Sequence, residues 1–532
     1  MTADLAQTDC IVEAGTVLCG LDGNGNMHLR HDVGIRVENG MIAQIGPLAA
    51  VGYGRDSLPR FGSSEMIAMP GLVNSHHHFG VTPLMMGVGF APLELWLPRF
   101  RAMRSVGARL DTLYSAIEML ESGTTTVHHI ASGLSGMPDD WDRATDAVLG
   151  AYQEIGMRVG YSFMMRDRNI LTYRSDAEVL ATLPADIRYW LEPQLAAANV
   201  PTADYMDFFK ASRSKWQGRN GAFVRHHLAP ANLHWCSDES LQTIFATARE
   251  AGCNIHMHLL ETERQAAFAR SQYGCSAVEH LHDIGCLGPE LTIGHGNWTT
   301  PRDLDLIADH GCCICHNASS GLRLGSGIAP VNAMRQRKIA VALGIDQSNI
   351  TDDRDMLLEM KLVWALHRDT SLWNDRPDAA AVLQMASEHG AKTAGYGGSV
   401  GRLEPGQRAD IVLLRRSRVA RPFIDAQTPI SEAVLHRATK DAVDQVFIDG
   451  RRVVDGGKVT LIDREAVLAE ICERLAASES DKELTARTMV AQLMPYLEAF
   501  HREHPLPQTE GSYRFNAIGQ PIAPPDIITA DQ

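Results

Sequence analysis

Four short apolar runs in this chain each end in a metal-ligand residue, and this recurrence constrains the fold more than any other feature. The run Ser64 to Met69 reads as a strand and leads through Pro70 and Gly71 to His76, His77 and His78. Asn254 and Ile255 lead to His256 and His258, with Glu261 three residues further on. Leu291 to Gly294 ends in His295, and Ile339 to Ile345 ends in Asp346. Each is a buried-strand pattern with a polar residue at its C-terminal end. In a parallel β/α barrel the strand C-termini converge on one face, and that face carries the active site. The predicted fold class is therefore α/β: a (β/α)8 TIM-type barrel.

Histidines at i and i+2 on a strand project to the same side. His76 and His78 thus present two imidazoles to one ion, and imidazole suits zinc, iron and nickel. His256 and His258 share the same geometry, so spacing alone does not choose between them. His77 faces away from its neighbours and reads as packing. His128, His129, His226 and His227 read as core histidines with satisfied ring nitrogens. No lysine sits at an obvious strand end between them and His256. A carbamylated-lysine bridge between two metals is not indicated, so one ion per subunit is expected.

The flanks follow a different grammar. Residues 1–69 carry strand alternation and turns, with Asp22 to Asn26 a strong turn signal and Val33 to Gly40 a strand ending in a turn. The same pattern returns at Ala409 to Leu414, Val443 to Gly450 and Arg451 to Val454. Residues 1–69 and 397–460 are thus predicted to build one composite β-sandwich domain beside a barrel spanning 70–396. Within the barrel, Leu110 to Glu121 and Leu241 to Gly252 have helical spacing. Residues 461–532 form an extension. Val467, Leu468, Ile471 and Leu475 share one helical face, as do Leu484, Met489, Leu493, Leu497 and Phe500. A proline-bearing tail beyond Glu503 reads as irregular.

Composition bounds the partners. A hydrophobic fraction of 45% and a charged fraction of 21% over 532 residues describe a globular chain with a large core. Net charge is −15 with no basic block, which argues against nucleic acid and anionic membrane as partners. The N-terminus shows no basic segment followed by an apolar core, so no secretory leader is expected. Ten scattered cysteines, with Cys312, Cys313 and Cys315 inside an apolar pattern, read as buried reduced thiols in a cytoplasmic compartment.

Taken together, Pro70 to His78, Gly123 to Thr126, His258 to Thr262, Gly294 to Gly296, Asn317 to Ser320, Leu324 to Pro330, Leu343 to Asp346 and Gly401 to Asp410 resemble the metal-dependent amidohydrolase superfamily. Within it they resemble the cytosine deaminase and triazine hydrolase branch. The resemblance implies a metal held by His76, His78, His258 and Asp346, with His256 structural. The metal is one divalent ion per subunit, zinc in preference to iron. It would lower the pKa of a water from about 15.7 toward 7. Asp346 would take that water's proton, Glu261 would pass a proton to the leaving nitrogen, and His295 would orient the attack. A homo-oligomer acting on a small-molecule substrate is expected.

The pocket departs from the branch. Phe79 to Phe90 carries no charge where the branch has arginine and acidic residues. Ala231 stands where a substrate-contacting histidine is expected, and Gly321 replaces an asparagine. Met85, Met86, Phe90, Trp96 and Trp235 are expected to line an apolar pocket for a neutral substrate. The chemistry expected is hydrolysis of a C–N bond in a small nitrogen-rich compound, chiefly deamination of an N-heterocycle. The same machinery also suits an amide, urea or carbamate, or ring dechlorination. A metal-free scaffold protein is the competing class, against which the retained ligand set speaks.

Overall fold

The computed structural model describes residues 9–100, 102–131, 138–220, 223–368 and 376–504. The strand Cys10–Leu21 pairs antiparallel with Met27–Glu38 through the turn at Asp22, whose N–H donates to the Asn26 carbonyl at 2.8 Å. It pairs in parallel with Arg60–Pro70, which runs antiparallel to Ile411–Arg415. Val443–Ile448, Arg451–Asp455 and Lys458–Val459 continue the sheet on that side, and Met27–Glu38 and Met41–Pro47 on the other. Eight strands from both ends of the chain therefore share one hydrogen-bonded path. Val12, Ile35, Ala68, Leu413 and Phe447 meet in a separate apolar core belonging to it.

Pro70 and Gly71 pass the chain from this sheet into the strand Leu72–His77. That strand lies parallel to Thr124–Ala131, followed by Arg158–Met165 and Val224–His226. A second parallel sheet holds Ile255–Leu259, Leu291–His295, Cys313–His316 and Ala340–Leu343. Leu72–His77, Ile255–Leu259 and Leu291–His295 are buried at every residue, as parallel strands covered on both faces must be. Single residue pairs join the two sheets, His77 with Asp346 and Leu228 with Ile255. The helices Ala108–Glu121 and Asp238–Ala251 stand where the 3.6-residue spacing put them. The chain is thus an α/β protein with parallel-strand sheets and one mixed sheet.

Arg158 locks the parallel sheet to the mixed one. Its guanidinium is fully buried and donates to Asp410 at 2.9 Å and to Asp449 at 2.6 Å. At the C-terminal side, Arg464–Ala476 buries Val467 and Ile471. Asp481–Glu503 starts on a Ser480–Glu483 capping box and buries Leu493, Leu497 and Phe500 against Ile187, Leu191 and Leu195 of the helix Ala185–Ala198. Leu484, placed on the apolar face by the sequence pattern, is exposed. The tail from residue 505 onward lies outside the described residues. Cys312, Cys313 and Cys315 are buried, and burial pushes the Cys312 thiol up to about 12, so they pack as small apolar groups. No described helix is long and apolar enough to cross a membrane.

Candidate active site

The parallel strands deliver three imidazoles and a carboxylate to one point. His76 Nε2 lies 3.0 Å from His78 Nε2, which lies 3.2 Å from His258 Nε2. Asp346 Oδ1 is 3.3 Å from His78 Nε2 and 3.7 Å from His76 Nε2. Nitrogen ligands about 2.0–2.1 Å from a tetrahedral zinc stand roughly 3.3 Å apart, so the donor atoms have the spacing of a coordination shell. The opposite ring nitrogens are engaged elsewhere. His78 Nδ1–H donates to the Ile130 carbonyl at 2.8 Å, and His258 Nδ1–H to the Ala231 carbonyl at 3.1 Å. That tautomer leaves each Nε2 with a lone pair and no proton. Burial, and after it the crowding of neighbouring imidazoles, holds His76 and His258 well below the usual histidine pKa. Imidazole Nε2 atoms facing one another, with the opposite ring nitrogens engaged elsewhere, are the donor set a cation requires, and the residues fit a divalent metal.

His256 lies on the other side of His76. Its Nε2 is 2.8 Å from His76 Nδ1, so the second histidine pair divides into one member within the Nε2 cluster and one behind it. Two glycines make room for this packing. A Cβ on Gly294 would stand 3.1 Å from His256 Nε2, and one on Gly344 would stand 2.5 Å from the Cβ of His76.

Glu261 and His295 face the cluster from the next layer. His295 Nε2 lies 3.8 Å from Glu261 Oε2, while its Nδ1 stands 3.3 Å from the Asn317 amide. Asp346 Oδ2 accepts from Ser320 Oγ at 2.6 Å and from Gln347 Nε2 at 2.8 Å. Leu260, His295 and Asp346 all hold left-handed φ angles, of 54°, 76° and 64°. Non-glycine residues in that region cost energy and cluster where side chains must be aimed. The two carboxylates are driven apart. Burial raises Glu261 well above the usual carboxylate range, and the negative charges of Asp346 and Glu94 raise it further. Burial also acts to raise Asp346, but His78, His295 and Ser320 outweigh it and bring the group down to about 2. His295 falls to about 4, chiefly through burial.

A cavity of about 1320 Å³ opens on this cluster, with His78, His258, Glu261, His295, Asp346 and Gln347 at its floor. Trp96 and Trp235 line it, as the sequence pattern led us to expect. Met85, Met86 and Phe90 do not, contrary to that expectation. Met85 and Phe90 are 50% and 43% exposed, and the Phe90 ring packs under Arg323. Nor is the wall purely apolar. Arg166 stands 3.9 Å over the Trp235 ring, and Glu94 accepts from Tyr173 Oη and Thr262 Oγ1, each at 2.8 Å. These groups come from the helix Leu93–Phe100 and from separated loops with no local motif, so the sequence offered no signal for them. The other histidines singled out by the sequence pattern are buried in the core, although Nδ1 of His128 and of His226 lacks the partner expected of it. His128 meets Ser162, His129 meets Tyr152, His226 meets Ser212, and His227 donates to the Ala394 carbonyl. His77 is fully buried against His129.

Residues 67–453 match the amidohydrolase family, and the chain belongs to it. It is 27% identical over 447 residues to a 5-methylthioadenosine/S-adenosylhomocysteine deaminase of Desulforudis audaxviator, covering 83% of this chain and 94% of the relative. It is 29% identical to a 5'-deoxyadenosine deaminase of Methanopyrus kandleri, covering 77% of this chain and 87% of the relative. An adenosine deaminase structure from Xanthomonas campestris with bound zinc shares the fold at a TM-score of 0.70 and 23% identity, covering 92% of this chain and 99% of that one. A triazine hydrolase from Arthrobacter aurescens does so at 0.76 and 20% identity, covering 88% and 100%.

Proposed function

We propose that this chain is a metal-dependent hydrolase that removes an exocyclic amino group from a small, neutral N-heterocycle. One observation carries the reading. Three imidazole Nε2 atoms and the Asp346 carboxylate converge within 3.0–3.7 Å, beneath a cavity that also holds the buried Glu261. His76, His78, His258 and Asp346 would hold one divalent cation per subunit, zinc first and iron second, and that cation would supply an activated water at neutral pH. Among the described residues, Lys482 at the cavity's outer end is the lysine that lines it, which favours a single metal over a lysine-bridged pair.

The protein's own groups then divide the proton work. Asp346, kept ionised, accepts a proton from the attacking water. Glu261, kept protonated by burial and by the charge of Asp346, gives a proton to the departing nitrogen. Two carboxylates with pKa values pushed apart by their surroundings take the base and acid roles. His295, neutral and aimed by its left-handed backbone, polarises the bond under attack. Deamination is supported by the activities of the relatives in Desulforudis and Methanopyrus.

We infer further that the two parallel sheets close into a (β/α)8 barrel over 70–396, a reading supported by the bridges His77–Asp346 and Leu228–Ile255. Residues 1–69 and 397–460 form the composite β-sandwich domain and 461–532 the extension. The enzyme acts on a free small molecule, without nucleic acid or membrane, as a cytoplasmic homo-oligomer. Ammonia release and product mass spectra over aminated purines, pyrimidines and triazines test the activity, with arylureas, carbamates, anilides and chlorotriazines alongside. Ammonia from a heterocycle is expected. Turnover confined to ureas, carbamates, anilides or chlorotriazines would replace deamination with the corresponding hydrolysis.

A further inference from the structure

The cavity does not end where a heterocycle would. Beyond Trp96 and Trp235 its lining takes in Leu171 and Trp190 and, at the solvent-exposed end, Asp481, Lys482, Thr485 and Ala486. These last four belong to the helix Asp481–Glu503, which lies beyond the family match at 67–453. At about 1320 Å³ the space exceeds the roughly 300–1,000 Å³ usual for a small-molecule pocket.

The helix is fixed in place. Its Leu493, Leu497 and Phe500 pack on Ile187, Leu191 and Leu195. Arg104 donates to the Leu475 carbonyl at 2.8 Å and reaches Glu483 at 3.4 Å. Arg474 returns a bond to the Val106 carbonyl at 2.8 Å. Arg104 and Val106 themselves line the cavity, so the extension and the pocket wall form one unit.

Building on the heterocycle reading, we propose that the helix Asp481–Glu503 is a specificity element that selects substrates carrying an extended, largely apolar arm on the reacting ring. The ring sits over Glu261 and His295, and the arm lies along Leu171 and Trp190 as far as Ala486. Burying each methylene of such an arm is worth roughly fourfold in affinity, so a long arm should dominate binding.

The test uses binding alone, with metal-loaded Glu261→Gln enzyme and two probes, adenine and 9-octyladenine, in isothermal titration calorimetry. The octyl compound should bind at least tenfold more tightly than adenine. Ala486→Trp, placed in the same background, should remove most of that gain and leave adenine affinity within twofold. Thr485→Trp, at an exposed position of the same wall, should act in the same direction and guards against a misfolded Ala486 variant. An octyl compound that binds no better than adenine, or tryptophan variants that weaken both probes equally, would overturn the proposal. Absence of ammonia release from every heterocycle, alongside a retained octyl preference, would strike the reaction proposed above and leave the helix's role standing.

Discussion

His256 Nε2 sits 2.8 Å from Nδ1 of His76, on the side of the ring away from the Nε2 cluster. With His76 Nε2 committed to the cluster, Nδ1 carries the ring proton and His256 receives it. Such a partner fixes the tautomer and orientation of a ligand, and its loss typically costs 10–100-fold in metal affinity. His256→Ala should therefore weaken zinc binding by about that factor without abolishing it. His256→Gln, which keeps an acceptor, should recover part of the loss. Competition with a chromophoric chelator measures both, and unchanged affinity in His256→Ala would remove the residue from the site.

The floor residues separate binding from chemistry. Glu261→Gln removes the proton shuttle and no metal donor, so turnover should fall by about 10²–10⁴-fold at unchanged metal content. His258→Ala should lose metal and activity together. Metal analysis beside ammonia-release kinetics reads both, and a metal-free Glu261→Gln protein would show that this carboxylate is a ligand instead.

Elemental analysis of the purified chain should return close to one divalent metal per subunit. Dialysis against a strong chelator should abolish activity and lower Tm, because the ligands crowd together with mutually facing lone pairs once the cation is gone. A content near two would demand a second site, and the pair Glu261 and His295 beside Asp346 would be the place to seek it.

The clustering of His76, His78, His258 and Asp346 was legible because it is written locally: they stand at or just past the ends of three apolar strands, and strand ends meet on one face of a parallel sheet. The choice between His256 and His258 was not legible from spacing. Both point to the same side of one strand, and the structure divides them by partner: His258 Nε2 meets His78 Nε2, whereas His256 Nε2 meets Nδ1 of His76. The wall was misread for a physical reason. An apolar run such as Phe79 to Phe90 does not state which neighbour covers it, and Met85 is half exposed. Glu94, Arg166, Tyr173 and the helix Asp481–Glu503 come from loops and segments far apart in the chain, and only tertiary packing assembles them. A Met85→Arg change should accordingly leave kcat/KM nearly unaltered, whereas Trp96→Ala, on the cavity wall, should raise KM.

Arg158 is buried with two carboxylates, Asp410 and Asp449, and it holds the strand Arg158–Met165 against the mixed sheet. Arg158→Met would strand Asp410 without its cation and leave Asp449 with Arg408 alone, 3.0 Å away. Breaking one partner of a buried pair costs about 3–5 kcal/mol, so the midpoint of urea unfolding should fall sharply. Adding Asp410→Asn and Asp449→Asn should restore part of the loss, since uncompensated charge is the main penalty. A single variant as stable as the parent would show that the cluster is hydrated.

Glu359, on the helix Met356–Leu366, is fully buried and accepts from the Ser319 backbone N–H at 3.0 Å and from the Ser319 hydroxyl. Ser320, the next residue, holds Asp346, so this carboxyl braces the metal site from behind. Burial raises it to about 7, against the lowering effect of the Ser319 bonds. A carboxyl whose folded pKa lies above its unfolded value of about 4.3 binds its proton more tightly in the native state. Its contribution to stability is complete below about pH 4 and fades as pH rises through 7, over a total of roughly 4 kcal/mol. Glu359→Gln keeps the neutral shape and removes the titration. The variant should be as stable as the parent near pH 4.5 and more stable at pH 8, as read from urea unfolding at the two pH values. Parallel stability profiles for the two proteins between those limits would show that Glu359 does not titrate in this range.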